Sequence, residues 1–318
     1  MRSYWLEFII SSFGGIMASG WVRSAGARRV FVVGLVGFTV VVPASRSWAS
    51  TDSHGVKEMQ IKGGHPARLA GSRRSVNMTY HGGKIMPTAV TKAIFWGTSW
   101  GTAAGDKLTG LDAFYTGFSN SSYAKTSDEY TGTNGQVGAS TAYQGHVVDT
   151  TAAAGGGNSS TILAEVAKVI TLPDPSGNGY YPVYTDIPRG NANYCAWHWY
   201  GTVKGVTVQY AFFFKLDGDP GCDPGDTSGL HSQGLAALAN VSAHELSEAR
   251  SDPASPGAWY DGSGAENGDK CAWTFNISLV TFSDASKWKL QGEWSNTAYT
   301  AGTGYPNSSG QRGCLDGH

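Results

Sequence analysis

Leu235-Ala-Ala-Leu-Ala-Asn-Val-Ser-Ala-His-Glu-Leu-Ser-Glu-Ala-Arg-Ser-Asp-Pro253 is the stretch whose reading decides this fold. Up to Ala243 it carries no charge, which describes a buried helix, and a helix is expected over residues 229–250. That helix ends in His244, Glu245 and Glu248. Positions i and i+4 share a helix face one turn apart, so His244 and Glu248 can grip a single cation. The two histidines of H-E-x-x-H zinc sites do the same. Glu245 then faces the water on that ion as general base. A carboxylate in the second position is a legitimate zinc ligand, and its extra negative charge makes the bound water less acidic. The competing reading is a hydrogen-bonded or surface polar cluster, but a buried helix end has to satisfy these groups somehow.

A third donor is needed. Glu266, in Trp259-Tyr-Asp-Gly-Ser-Gly-Ala-Glu-Asn-Gly-Asp-Lys-Cys271, comes first, on an expected hairpin that folds back over the helix end. Asp269 and Asp252 stand behind it; Asp252-Pro253 reads first as a helix stop and Asp261-Gly262 as a turn. His81 and His198 each read as a hydrogen-bonded core residue or, failing that, as a fourth ligand or oxyanion stabiliser. The loop from Asp217 to Asp226 holds four aspartates among glycines and prolines. Calcium accepts such oxygens, but the spacing departs from an EF-hand, and a disulfide-pinned turn is the simpler reading.

Working outward, residues 206–216 form the clearest buried strand and residues 89–96 a second. Apolar spacing predicts helices over 107–119 and over 159–170, the latter with Ser159 or Ser160 near its N-cap. Residues 123–145 read as a turn-rich meander or long loop, and a strand starts over 180–185. Beyond Pro256 the text is short strands and turns. The whole is an α+β chain with a mixed β-sheet, one zincin-like domain over residues 76–318 around a buried active-site helix.

Upstream, residues 30–42 are an apolar run preceded by Arg23, Arg28 and Arg29 and followed by Ser47-Trp48-Ala49. This is the pattern of a secretory signal, residues 1–49 with cleavage after Ala49 and Met17 as an alternative start. The run is too short for a membrane span of roughly 20 residues, so no span is expected after cleavage. Residues 50–75, polar and basic, read as a flexible leader or propeptide-like segment. With 15% charged residues, 44 glycines and a net charge of -1, nothing points to nucleic acid. Four cysteines in an exported chain favour two disulfides. Three pairings exist, and chain order favours Cys195 with Cys222 and Cys271 with Cys314. A secreted, extracellular or periplasmic location follows.

Several patches also resemble one family. Tyr80-His-Gly-Gly-Lys-Ile-Met-Pro87 before a strand ending Phe95-Trp-Gly97, Cys195-Ala-Trp-His198, Ser251-Asp-Pro253, and Trp259-Tyr260 with Glu266, Asp269 and Cys271 are similar to the phosphate-induced protein 1 (EXORDIUM-like) family. The resemblance implies a secreted or cell-wall protein, linked in plants to growth signalling. Bacterial-type members resemble zincin metallopeptidases through the His-Glu-x-x-Glu helix, whereas plant members lack its His-Glu pair. The expected function is a zinc-dependent hydrolase acting on a peptide or protein. The alternative is a non-catalytic binding or signalling protein whose Trp197, Trp199, Tyr200, Trp288 and Trp294 contact cell-wall glycan.

Overall fold

The structure is a computed structural model that describes residues 57–63, 76–156, 158–276 and 279–317. The signal segment expected over residues 1–49 lies outside the described residues. Six strands, β1 (Lys57–Gln60), β2 (Val90–Trp96), β3 (Ala142–Asp149), β4 (Gly179–Pro188), β5 (Tyr194–Val203) and β6 (Val206–Lys215), form one sheet in the order β1-β5-β6-β4-β2-β3. The last four in that order run parallel. β5 is antiparallel to β6, and β1 is antiparallel to β5. The chain is therefore mixed α/β with a mixed sheet.

Helices α1 (Lys107–Phe118) and α2 (Ser159–Val169) make the crossovers that parallel pairing requires. The alternating side chains of β5 and β6 show how both faces are covered. Trp197 donates to Gly156 O at 2.9 Å and Tyr210 to Ser159 O at 3.1 Å, on the α2 side. On the other face Phe213 stacks on Tyr184, whose hydroxyl meets Ser242 of α3 (Gln233–Ser251). Burial of each such aromatic contributes roughly 1.5–3 kcal/mol. Helix α1 packs against α3 so closely that a Cβ on Gly110 would stand 2.2 Å from Leu235 Cδ2.

A second, smaller core gathers Met78, Ile85, Tyr130, Val137, Ala258 and Trp294 around the Cys271–Cys314 disulfide. Both disulfides, Cys195–Cys222 and Cys271–Cys314, pair as chain order favours. They fit an oxidising compartment, and among the described residues no helix is long and apolar enough to cross a membrane.

The structure departs from the sequence reading in four places. Residues 57–60, expected in a flexible leader, form a sheet strand, because Met59 is fully buried and the backbone pairs with β5. The expected loop over 123–145 gives way at Ala142 to β3. Trp259–Tyr260 pairs with Thr79–Tyr80, and Glu266 starts a helical turn, Asn267–Lys270, so no hairpin forms there. Of the aromatics expected to meet glycan, Trp197, Trp288 and Trp294 are buried in the cores and only Trp199 and Tyr200 are partly exposed.

Candidate metal centre

Helix α3 is positioned from both ends. Ser232 caps it by accepting from Leu235 N at 3.2 Å, and Asp106 in turn accepts from the Ser232 hydroxyl at 2.6 Å. At the other end the buried Arg250 donates from Nη2 to Ala124 O and Gly138 O, both at 2.8 Å. Between these anchors, His244, Glu245 and Glu248 are all fully buried.

His244, Glu248, His198 and Glu266 converge there, with Asp269 at their edge. His244 Nε2 lies 3.1 Å from Glu248 Oε1, and Glu248 Oε2 lies 3.4 Å from Nε2 of His198 on β5. His198 Nε2 lies 3.3 Å from Glu266 Oε2, and Asp269 Oδ1 is 3.7 Å from His244 Nε2. Two groups of donor atoms, each within 4.8 Å of one another, share Glu248: His198, Glu248 and Glu266, and His244, Glu245 and Glu248. His198, open as core residue or ligand in the sequence, thus joins the donors, and Glu266 reaches the site beside it.

The other expected residues have different roles. Asp269 accepts from Glu266 N at 3.2 Å, and its own N–H donates to Glu248 Oε1 at 2.9 Å, so it shapes the acidic turn. Asp252 is buried; its Oδ1 accepts from Ala258 N, at the helix stop. His81 is exposed and stacks on Tyr260 at 3.6 Å, outside both donor groups. The four loop aspartates make ion pairs or turns: Asp217 with Lys107, Asp219 with Arg189, Asp223 with Gly225 N and Asp226 with Ser228 N.

What is missing at the centre is informative. Both carboxylate oxygens of Glu245 and Glu266 Oε1 are buried without a hydrogen-bond partner among the described residues, and His244 Nε2 has the Glu248 carboxylate at 3.1 Å but no hydrogen bond of good geometry. Buried polar atoms are satisfied in the great majority of cases, so a cluster of orphans marks a place for a bound group. Two imidazoles with surrounding carboxylates suit a divalent metal ion in donor chemistry.

The electrostatics agree in direction. Burial pushes the Glu245 carboxyl well above its ordinary range. Burial acts the same way on Glu248, but His244 and His198 more than offset it and hold that carboxyl low. Burial disfavours the His244 imidazolium, yet Glu248 overcomes it and the pKa rises to about 10. A cation taking Nε2 therefore competes with a proton.

Three residues at the site escaped sequence reasoning. Gln291 places its amide nitrogen 2.9 Å from His244 Nδ1 while donating to Gly268 O at 3.0 Å and accepting from Trp273 N at 3.2 Å. In this orientation Nδ1 accepts and the proton of a neutral ring sits on Nε2. A cation on Nε2 calls for the opposite tautomer, with Nδ1–H donating to the Gln291 oxygen. Lys57 puts its ammonium 3.4 Å from Glu266 Oε2 and 3.7 Å from Asp252 Oδ2. Tyr180 is buried on β4 with no hydrogen-bond partner for its hydroxyl among the described residues, within the field of Glu245 and Glu248. Only the tyrosine had a sequence signal, its place at the head of a strand.

Comparison with protein-family models, curated proteins and solved structures gives no match.

Proposed function

We propose that the chain is an exported zinc-dependent hydrolase of metallopeptidase type, with a zincin-like His-Glu-x-x-Glu helix and an EXORDIUM-like relationship. The observation that carries the reading is the convergence of unpartnered, buried imidazole and carboxylate atoms around Glu248. Glu248, common to both donor groups, would hold the ion, with His198 and Glu266 on one side and His244 on the other. When bound, zinc supplies Lewis acidity toward a carbonyl and a more acidic water.

The chain's own groups do the rest. Glu245, one residue from His244 and with both oxygens unengaged, takes a proton from the attacking water and hands it to the leaving amine. Burial raises its pKa, which suits a group that must both accept and release a proton. Asp269 positions Glu248 through the bond given above, and Gln291, against His244 Nδ1, would have to turn its amide oxygen to that nitrogen to hold the metal-bound tautomer.

The test is metal analysis and peptide cleavage on protein produced through an oxidising export route. Near-stoichiometric zinc is expected. Glu245→Ala keeps zinc and loses cleavage, and His244→Ala loses both. Protein that takes up no zinc refutes the reading and leaves a non-catalytic recognition protein.

A further inference from the structure

Strand β1 runs along the sheet edge beside this site. It pairs antiparallel with the outer edge of β5, and Lys57 stands opposite His198, the β5 residue whose ring joins the donor cluster. A strand edge leading to a catalytic cluster recognises extended chain by main-chain hydrogen bonds, with alternate side chains read by pockets. β1 follows that scheme. Met59 packs into the core and Lys57, two residues earlier on the same face, points to the cluster. Glu58 and Gln60, on the other face, bond to each other at 3.1 Å. The pairing is four residues long and shifts register after Met59.

The Lys57 side chain enters a built pocket. Its ammonium faces Glu266 and Asp252, lies 5.0 Å over the Tyr260 ring, and reaches Gly264 O at 3.5 Å. Trp199 and Tyr200 line the same pocket, which shares Pro253, Ala254 and Ser255 with a neighbouring cleft of about 410 Å³. Carboxylates and an aromatic face around an ammonium are the groups that recognise a basic side chain.

We infer that the outer edge of β5 is a docking edge for extended polypeptide, that the pocket at its end selects a lysine-type side chain, and that Lys57–Gln60 is the chain's own occupant of it. The inference deepens the peptidase reading and rests on it, naming the substrate as an extended peptide with a basic residue beside the cluster. The tethered segment competes with incoming peptide at high effective concentration, so it also restrains the site.

The probes are two capped peptides, Lys-Glu-Met-Gln-Ile and the same sequence with alanine first, added to the full chain in EDTA. Hydrogen exchange read by mass spectrometry is expected to rise over residues 57–61 with the lysine peptide and not with the alanine one. In the Met59→Ala chain, whose own strand is weakened, the lysine peptide binds at least tenfold tighter by fluorescence anisotropy. Adding Asp252→Asn brings the two within twofold. Equal binding of both peptides, or residues 57–61 unchanged at millimolar lysine peptide, overturns the inference. Binding without turnover is what is measured, so a failure of zinc uptake or cleavage sinks the hydrolase reading separately.

Discussion

Replacing Gly268 by alanine adds one methyl group and alters no donor, yet the structure sets that methyl against the candidate metal site. The new Cβ would stand 2.8 Å from His244 Nδ1, 3.0 Å from His244 Cγ and 3.0 Å from Glu248 Oε1, where ordinary contact begins at 3.4 Å. The ring and the carboxylate must therefore retreat by about 0.5 Å, which is the whole positional tolerance of a preorganised site. Neither has a free direction: His244 is fully buried with Gln291 against Nδ1, and Glu248 Oε1 holds the Asp269 N–H. Zinc affinity should fall by roughly 10–100-fold, the loss seen when the groups that orient a ligand are disturbed. Overpacking should cost about 1–3 kcal/mol of stability. Competition against a chromophoric chelator gives the first number and urea unfolding in EDTA the second. A Gly268→Ala protein with parental zinc affinity would show that no cation sits against this turn.

Four further outcomes are expected. Gln291→Glu, which offers Nδ1–H an anionic acceptor, should tighten zinc by about tenfold, and Gln291→Leu should weaken it, both by the same titration. Arg250→Met leaves the carbonyls of Ala124 and Gly138 without their donor and should lose about 2–4 kcal/mol in urea unfolding. Serine at Cys271 and Cys314 opens a loop with a sequence separation of 43 and should cost about 4 kcal/mol, read the same way. Burial raises the Glu293 carboxyl to about 8 from an ordinary 4.5. Its favourable contribution is full below pH 4.5 and disappears as pH rises through 8, so Glu293→Gln should gain on the parent between pH 5 and pH 9, by on the order of 2 kcal/mol in paired denaturation curves.

The features legible in the sequence were those whose burial is one-sided or complete. β6 shows as a continuous apolar run, and α3 as an uncharged helix ending in charge, because both are enclosed by other elements. β3 was hidden for the opposite reason: none of its residues is fully buried, so alternation carried little contrast. β5 reads as an aromatic cluster until its partners are known, since Trp197 and His198 face opposite sides of the sheet. A four-residue edge strand such as β1 has one apolar marker, Met59, set among polar neighbours. At the site, the His-Glu-x-x-Glu spacing was visible because one helix supplies it. His198, Glu266, Lys57 and Gln291 come from separate segments, and only the tertiary fold brings them to α3.

The Cys271–Cys314 bond sets an order of events. The acidic turn with Glu266 and Asp269 ends at Cys271, and the thiol that fastens it lies 43 residues downstream. During synthesis the helix and its imidazole exist before that fastener has emerged. Until Cys314 is made and oxidised, the turn hangs from one side only, so in a nascent or reduced chain Glu266 and Asp269 are held loosely beside α3 and are fixed there late, where thiols are converted to disulfides.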